Sequence, residues 1–369
     1  MADVREARSL SPSTRKLMAL LAGAQAPARD WRKAWRLAFA QLRQEVDLHP
    51  IGATPAATFA AAAASVRTVS AENLPLAMGL VMHLYPLCAL RFIPLPWWSA
   101  ANYRRHRLLR DIDREGWILA NAGSDRVAGA QPPISLTRTL HGALVTGAFD
   151  YVSLANVADL VLFNAPIDGQ ASLFCIAGMH MDTAIIGEPR FSGATRLSDT
   201  CSLRLEKHLV RNEHCVVVPD DTTLGCMTQY QRSWFHMLAA EAHVARLDFL
   251  RKRWQLPHTP EEVAGWNEAK LLRDYALRLL DGARTAGTIE SLASVTAAIK
   301  LRISWRCQAM AETLRELDAT AASELLLLKR QPTADNRILR SISSVDQPLV
   351  VDHRHIGLPG GGHAAKAAT

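Results

Sequence analysis

Gly116-Trp117-Ile118-Leu119-Ala120-Asn121-Ala122-Gly123-Ser124-Asp125 begins the stretch that decides how this chain folds. It continues through Gly142-Ala143-Leu144-Val145-Thr146-Gly147-Ala148-Phe149-Asp150-Tyr151-Val152-Ser153 and Ala158-Asp159-Leu160-Val161-Leu162-Phe163, and closes on Arg196-Leu197-Ser198-Asp199-Thr200-Cys201. Short apolar runs, such as Leu144-Val145, Leu160 to Phe163, Ser172 to Ile176 and Cys215 to Val218, alternate here with Gly, Pro, Asn and Asp turns. That alternation marks an antiparallel sheet or small barrel.

On both sides the period changes to that of helices. Residues 13–48 carry Trp31, Trp35, Leu37, Phe39 and Leu42 near one face, with Arg32, Lys33, Arg36 and Arg43 elsewhere. Residues 56–70 are Ala-rich, and Ser70-Ala71-Glu72-Asn73 offers capping chemistry ahead of an apolar helix over 74–91. A joint at Pro94 and Pro96 precedes a helix over 99–115. Beyond the strands, helices are expected over 224–254, 260–286 and 288–328, ending before Pro332. The fold class expected is therefore α+β: an N-terminal α-helical domain over 1–115, a middle antiparallel β-domain over 116–222 and a C-terminal α-helical bundle over 223–345. The tail, 346–369, holds Gly357-Leu358-Pro359-Gly360-Gly361-Gly362, a linker composition that predicts disorder.

Composition narrows the function classes. At 369 residues, 49% hydrophobic and 21% charged, the chain can bury a sizeable core and is not disordered throughout. The net charge of +7 is spread along the chain without interleaved aromatics or a nucleic-acid-binding pattern, which argues for an anionic ligand and against nucleic acid. Six cysteines without a CxxC pair, and no secretory leader pattern, predict reduced thiols in a cytoplasmic protein. The apolar run from Leu74 to Leu90 is broken by Pro75, His83 and Pro86, so no membrane span is expected. Cys201, His208, His214 and Cys215 lack the paired spacing of a zinc site, so no metal is expected. Neither a GxGxxG loop with strand–helix alternation nor a P-loop nor a nucleophile elbow is present.

The small-residue loop, the Gly-punctuated hairpin, the paired short strands and Ser198-Asp199-Thr200, set between two helical regions, resemble the acyl-CoA dehydrogenase family from about residue 15 to 345. The resemblance implies FAD as cofactor. In that family a loop ending in Gly-Ser-Asp runs along the flavin, which points to Ala120, Asn121, Gly123 and Ser124 as cofactor-binding, with Asp125 completing the match. An aromatic–aliphatic–hydroxyl triplet packs beside the flavin ring, a place that Tyr151, Val152 and Ser153 fill. A basic helix end with an aromatic three residues on, here Arg251 and Trp254, reaches cofactor phosphates from a neighbouring subunit, and arginine suits phosphate through its bidentate fork.

The family's α-proton base is a glutamate, set either in the helix after the β-domain or late in the chain. At the first place stands Gln231, before Arg232, and glutamine cannot act as a base. Near the second, counting on from Asp318-Ala319 leads to Glu324, whereas counting back from Arg337 and Arg340 leads to Arg330 and Gln331. Glu324 is taken as the candidate catalytic residue, although a plain helix-surface carboxylate would look alike. The expected activity is α,β-dehydrogenation of an acyl thioester, carried by CoA or a carrier, with an electron-transfer flavoprotein as acceptor and a homodimer or homotetramer as assembly. The alternatives are a flavin-dependent monooxygenase fed by a flavin reductase, which needs no such base, and a catalytically degenerate binding protein. His236 and His243, seven apart on the helix after the strands, could line a cavity or simply pack at a helix interface.

Overall fold

Residues 10–12, 14–15, 28–122, 134–167, 171–178, 183–189, 198–217 and 221–326 are described in the computed structural model. Among the described residues before the strands lie the helices α1 (Ala28–Glu45), α2 (Pro55–Glu72), α3 (Leu74–Phe92) and α4 (Ala100–Glu115). Their ends are set by local chemistry. Thr54 caps α2 by accepting the Ala57 N–H at 3.2 Å, with Pro55 in the first turn, where no amide is needed. Asn73 closes α2 and starts α3, its Oδ1 accepting the Leu76 N–H at 2.9 Å. Ser99 caps α4, and α4 ends at Gly116, whose φ of +63° suits the left-handed turn that glycine adopts at least cost.

The helix α3 is apolar all round because it is enclosed all round. It is long and apolar enough to cross a membrane by length and composition, but 89% of that window is buried inside the protein. It packs on α2 and on the strand β1 (Leu119–Asn121).

Among the described residues the strands that follow are β2 (Ser135–Thr139), β3 (Gly142–Val152), β4 (Leu160–Ile167), β5 (Ala171–Gly178), β6 (Ala184–Pro189), β7 (Cys201–Arg211) and β8 (Cys215–Val217). They form two four-stranded sheets, ordered β1-β4-β5-β8 and β2-β3-β7-β6. The second is antiparallel throughout, as the alternation predicts, and the first contains one departure. β1 and β4 run parallel, Leu119 opposite Leu160, because the chain makes a long excursion through β2 and β3 before returning. An antiparallel bridge from Ala122 to Val152 joins the two sheets. Gly142 follows the β2–β3 turn, and a Cβ there would lie 2.0 Å from the Val210 carbonyl oxygen. Only glycine admits that approach.

The chain then forms α5 (Asp221–Arg253), α6 (Pro260–Gly282), α7 (Ala286–Leu314) and α8 (Ala319–Leu325). The single helix expected over 288–328 is two, divided where Asp318 accepts the Ala321 N–H at 3.0 Å and starts α8. The 33-residue α5 packs against α2, α3 and α7, so early and late helices share one apolar interior. The tail lies outside the described residues.

Candidate functional site

The end of β1 is positioned by α3. His83, fully buried, accepts the Leu119 N–H on Nδ1 at 3.0 Å, and so its proton resides on Nε2, which donates to the Leu48 carbonyl at 2.8 Å. Burial chiefly, aided by His49 nearby, pushes the His83 pKa down to about 3, so the ring stays neutral. Two residues on, the Tyr85 hydroxyl accepts the side-chain amide N–H of Asn121. Ala120 is fully buried between these contacts, while Asn121 is half-buried.

The Ala122–Val152 bridge sets this loop beside the triplet that the sequence singles out. Val152 is buried in the core, and Tyr151 keeps 39% of its surface exposed. Ser153 is buried, its hydroxyl 2.8 Å from Thr200 Oγ1, which lies 2.9 Å from Ser198 Oγ. Either oxygen of each pair can donate, so the three hydroxyls form one buried chain behind the turn.

A buried polar knot holds this turn rigid. The carboxylate of Asp199 accepts both the backbone N–H of Asn156 at 2.8 Å and its side-chain amide at 2.6 Å. Leu154 and Asp199 both take positive φ, 60° and 48°, and backbone amides of 154 and 155 donate to the carbonyls of 198 and 199. Strained non-glycine residues held by surrounding bonds are a feature of functional turns. On the α1 side, Arg36 Nε donates to the Asn156 carbonyl at 3.4 Å.

The helix α5 covers this region. Asn164 on β4 donates to Thr228 Oγ1 at 3.2 Å, and Phe235 meets Tyr85 edge-on with ring centroids 5.4 Å apart. Between them along α5 stands Gln231, buried, its Nε2 without a hydrogen-bond partner, as is Asn164 Oδ1. A buried amide left unbonded costs about 1–3 kcal/mol. One donor and one acceptor available at a strand–helix seam fit a flavin's pyrimidine edge, which presents carbonyls and an imide N–H. Asn121, Ser153, Asn164 and Gln231 are the residues that would hold such a ring.

The remaining candidates lie elsewhere. Arg246 follows Phe235 by eleven residues, roughly 16 Å along α5. There Arg246 Nη2 pairs with Glu324 at 2.9 Å, and its Nη1 donates to the carbonyls of Ala71 and Glu72, clamping α8 and α2 to α5. Burial raises the Glu324 pKa above the usual carboxylate range, and Arg246 opposes that shift. Arg251, further on, is buried and donates to the Pro257 carbonyl at 2.5 Å, which stabilises the turn after α5. Trp254 is half-buried beside Arg253, whose guanidinium lies 5.7 Å from its ring. Gly123, Ser124 and Asp125 lie outside the described residues. His243 is buried in the helix packing, its Nδ1 2.8 Å from the Ala239 carbonyl. Among the described residues no group of three His, Cys, Asp or Glu side chains is placed to hold a metal.

Sequence reading missed Tyr85, Asn164, Thr228 and Asn156. Tyr85 had a signal, since it and His83 are polar interruptions in an otherwise apolar helix.

No family model matches the chain, and no curated protein matches it in sequence. Solved structures do match. FMN-bound TdsC from Paenibacillus sp. A11-2 is 13% identical, with 90% of this chain and 92% of that chain covered at a TM-score of 0.60. KijD3, solved with FMN and a dTDP-linked amino-keto sugar, is 14% identical over 92% and 95%, at 0.62. The prolyl acyl carrier protein oxidase AnaB is 17% identical over 90% and 97%, at 0.57. The fold of this chain is thus the acyl-CoA dehydrogenase-like fold of these flavoenzymes.

Proposed function

We propose that this chain is a flavin-dependent oxidoreductase, and that it oxygenates its substrate using reduced flavin delivered by a separate flavin reductase. The observation that carries the reading is the Ala122–Val152 bridge, which brings the end of β1, with Asn121, beside the end of β3, next to Ser153. When bound, the flavin supplies two-electron redox chemistry toward oxygen or an organic substrate. The chain's part is to orient and to exclude water. Asn121, fixed by Tyr85, presents an amide; Ser153, fixed by Thr200, presents a hydroxyl; Gln231 offers an unbonded amide N–H.

Oxygenation is preferred because it needs no carboxylate base, and the geometry keeps Glu324 clamped to Arg246 well along α5 from Phe235. FMN is preferred to FAD because Arg251, the candidate for the additional phosphates, is occupied by the Pro257 carbonyl. TdsC and KijD3 were both solved with FMN, which supports this choice. The three-part domain layout and a homo-oligomeric assembly remain part of the proposal.

One observation favours the second reading, α,β-dehydrogenation of an acyl thioester with FAD: the raised Glu324 pKa, which a general base working near neutral pH requires. One experiment separates the two. The flavin-loaded protein is given a reductase, NADH, oxygen and candidate substrates, and in parallel acyl-CoA with a dye acceptor without oxygen. Oxygenated product supports the proposal. Anaerobic dye reduction that disappears in Glu324→Gln would replace it with dehydrogenation.

A further inference from the structure

Lys300 stands on α7 within the apolar run Ala298-Ile299-Lys300-Leu301, and it is only 1% exposed. Taking an ammonium group out of water is costly, and an apolar side chain of similar volume would pack the α5–α7 interface without that cost. Helix packing by itself does not call for a lysine here.

Two ring contacts relate Lys300 to the flavin seam. Its Nζ lies 5.5 Å from the centroid of the Phe235 ring, a cation–π distance. Phe235 in turn meets Tyr85 edge-on at 5.4 Å, and the Tyr85 hydroxyl holds the Asn121 amide. Gln231 precedes Phe235 by four residues, one turn along the same face of α5. The cation and the seam thus share one aromatic wall.

The charge is felt on α5. His243, eight residues beyond Phe235, has its pKa held down to about 4, chiefly by burial, with the positive charge of Lys300 adding to the shift. Its Nδ1 donates to the Ala239 carbonyl at 2.8 Å, which opposes the shift without reversing it. Near neutral pH the ring is therefore uncharged and supplies no opposing charge. In such an interior a fixed charge acts further than it would in water.

An oxidised flavin ring is neutral, whereas two electrons and one proton convert it to a reduced anion. A cation fixed nearby favours the charged form and leaves the neutral one nearly unchanged. We infer that Lys300 biases bound FMN toward its reduced, anionic form, its charge acting from behind the Phe235 ring. The inference rests on the flavin reading above and deepens it. Where flavin arrives already reduced from a separate reductase, which takes the two electrons from NADH, the site should hold that form more tightly than the oxidised one left after turnover.

The test is a reductive titration of the full, FMN-loaded chain with dithionite against a reference dye, without oxygen. A fluorescence titration with oxidised FMN runs beside it. Unit charges roughly 10 Å apart, at an effective dielectric of about 20, move a charge equilibrium roughly tenfold. The native chain should bind reduced FMN more tightly than oxidised FMN, so that the bound potential lies above that of free FMN. Lys300→Met keeps the volume and drops the charge. It should cut the preference roughly tenfold, about 30 mV for a two-electron couple, with oxidised FMN bound within about twofold of native. Lys300→Arg, which restores the charge, should restore the preference. A native potential below that of free FMN overturns the inference without any variant. Equal potentials in the native chain and Lys300→Met, or equal losses in Lys300→Met and Lys300→Arg, overturn it while the flavin reading stands. A native chain that takes up no flavin removes both.

Discussion

The two ends of α5 differ in how their buried polar groups are used. Toward its N-terminal half, Gln231 Nε2 and, on β4, Asn164 Oδ1 have no hydrogen-bond partner among the described residues. Toward its C-terminal half, Arg246, Glu324 and Arg251 direct charged groups at neighbouring chain atoms, while His243 Nε2 and Arg246 Nε are left without a hydrogen-bond partner among the described residues. Ion pairs of this kind hold helices together, whereas a buried neutral amide left unbonded calls for a further explanation, such as a ligand. The comparison teaches that charge alone does not identify chemistry: Glu324 is bonded into the helix packing through Arg246, whereas the unbonded amides stand toward the other end of α5.

The largest expected effect breaks the structural end. Arg246→Ala leaves Glu324 buried without its cation, and should cost about 3–5 kcal/mol in denaturant unfolding. The flavin affinity of the molecules that remain folded should not change. If flavin affinity collapsed while stability held, the assignment of the two ends would be reversed.

Acid comes next. The unfolded pKa of a histidine is about 6.5. Burial pushes His83 down to about 3 and His243 down to about 4. Between those values and 6.5 the unfolded chain takes up protons that the folded chain refuses. Stability should therefore fall as pH falls below 6.5, by about 1.4 kcal/mol per pH unit for each ring. Glu324, raised by burial, acts with the opposite sign and offsets part of this loss as pH drops. Unfolding midpoints between pH 7 and 4 measure the sum, and His83→Gln should flatten the slope.

Smaller effects sharpen the seam. Asn121→Ala and Ser153→Ala should each weaken flavin binding roughly tenfold, the equivalent of one hydrogen bond, with melting shifts within a few degrees. At the bottom of the scale, Arg204→Ala removes an exposed pair with Glu206 and should change stability by about 0.5 kcal/mol or less.

Much of this architecture was legible in local pattern. The caps at Asn73 and Ser99 and the turn at Gly142 act where their residue types predict, and the helix–strand–helix order follows from the change in hydrophobic period. The parallel β1–β4 pair was not legible, because a register between strands nearly forty residues apart leaves no mark in either strand. Of the candidate site, the adjacency of the 120–122 loop and Tyr151-Val152-Ser153 is observed. Asn164 escaped notice because it lies alone in an apolar strand, and Tyr85, although it and His83 interrupt an apolar helix, meets Asn121 only through tertiary packing. Glu324 and Arg251 were picked out by spacing, but spacing carries no information on which partner a buried charge meets.

The most direct measurement is a titration of the purified chain with FMN and with FAD, following flavin fluorescence and the visible spectrum, alongside Ser153→Ala and Arg246→Ala. Saturable binding of flavin, FMN preferred, weakened by Ser153→Ala and retained by folded Arg246→Ala, is what the account predicts. A chain indifferent to both flavins, or one whose binding is insensitive at Ser153 and lost at Arg246, would contradict it.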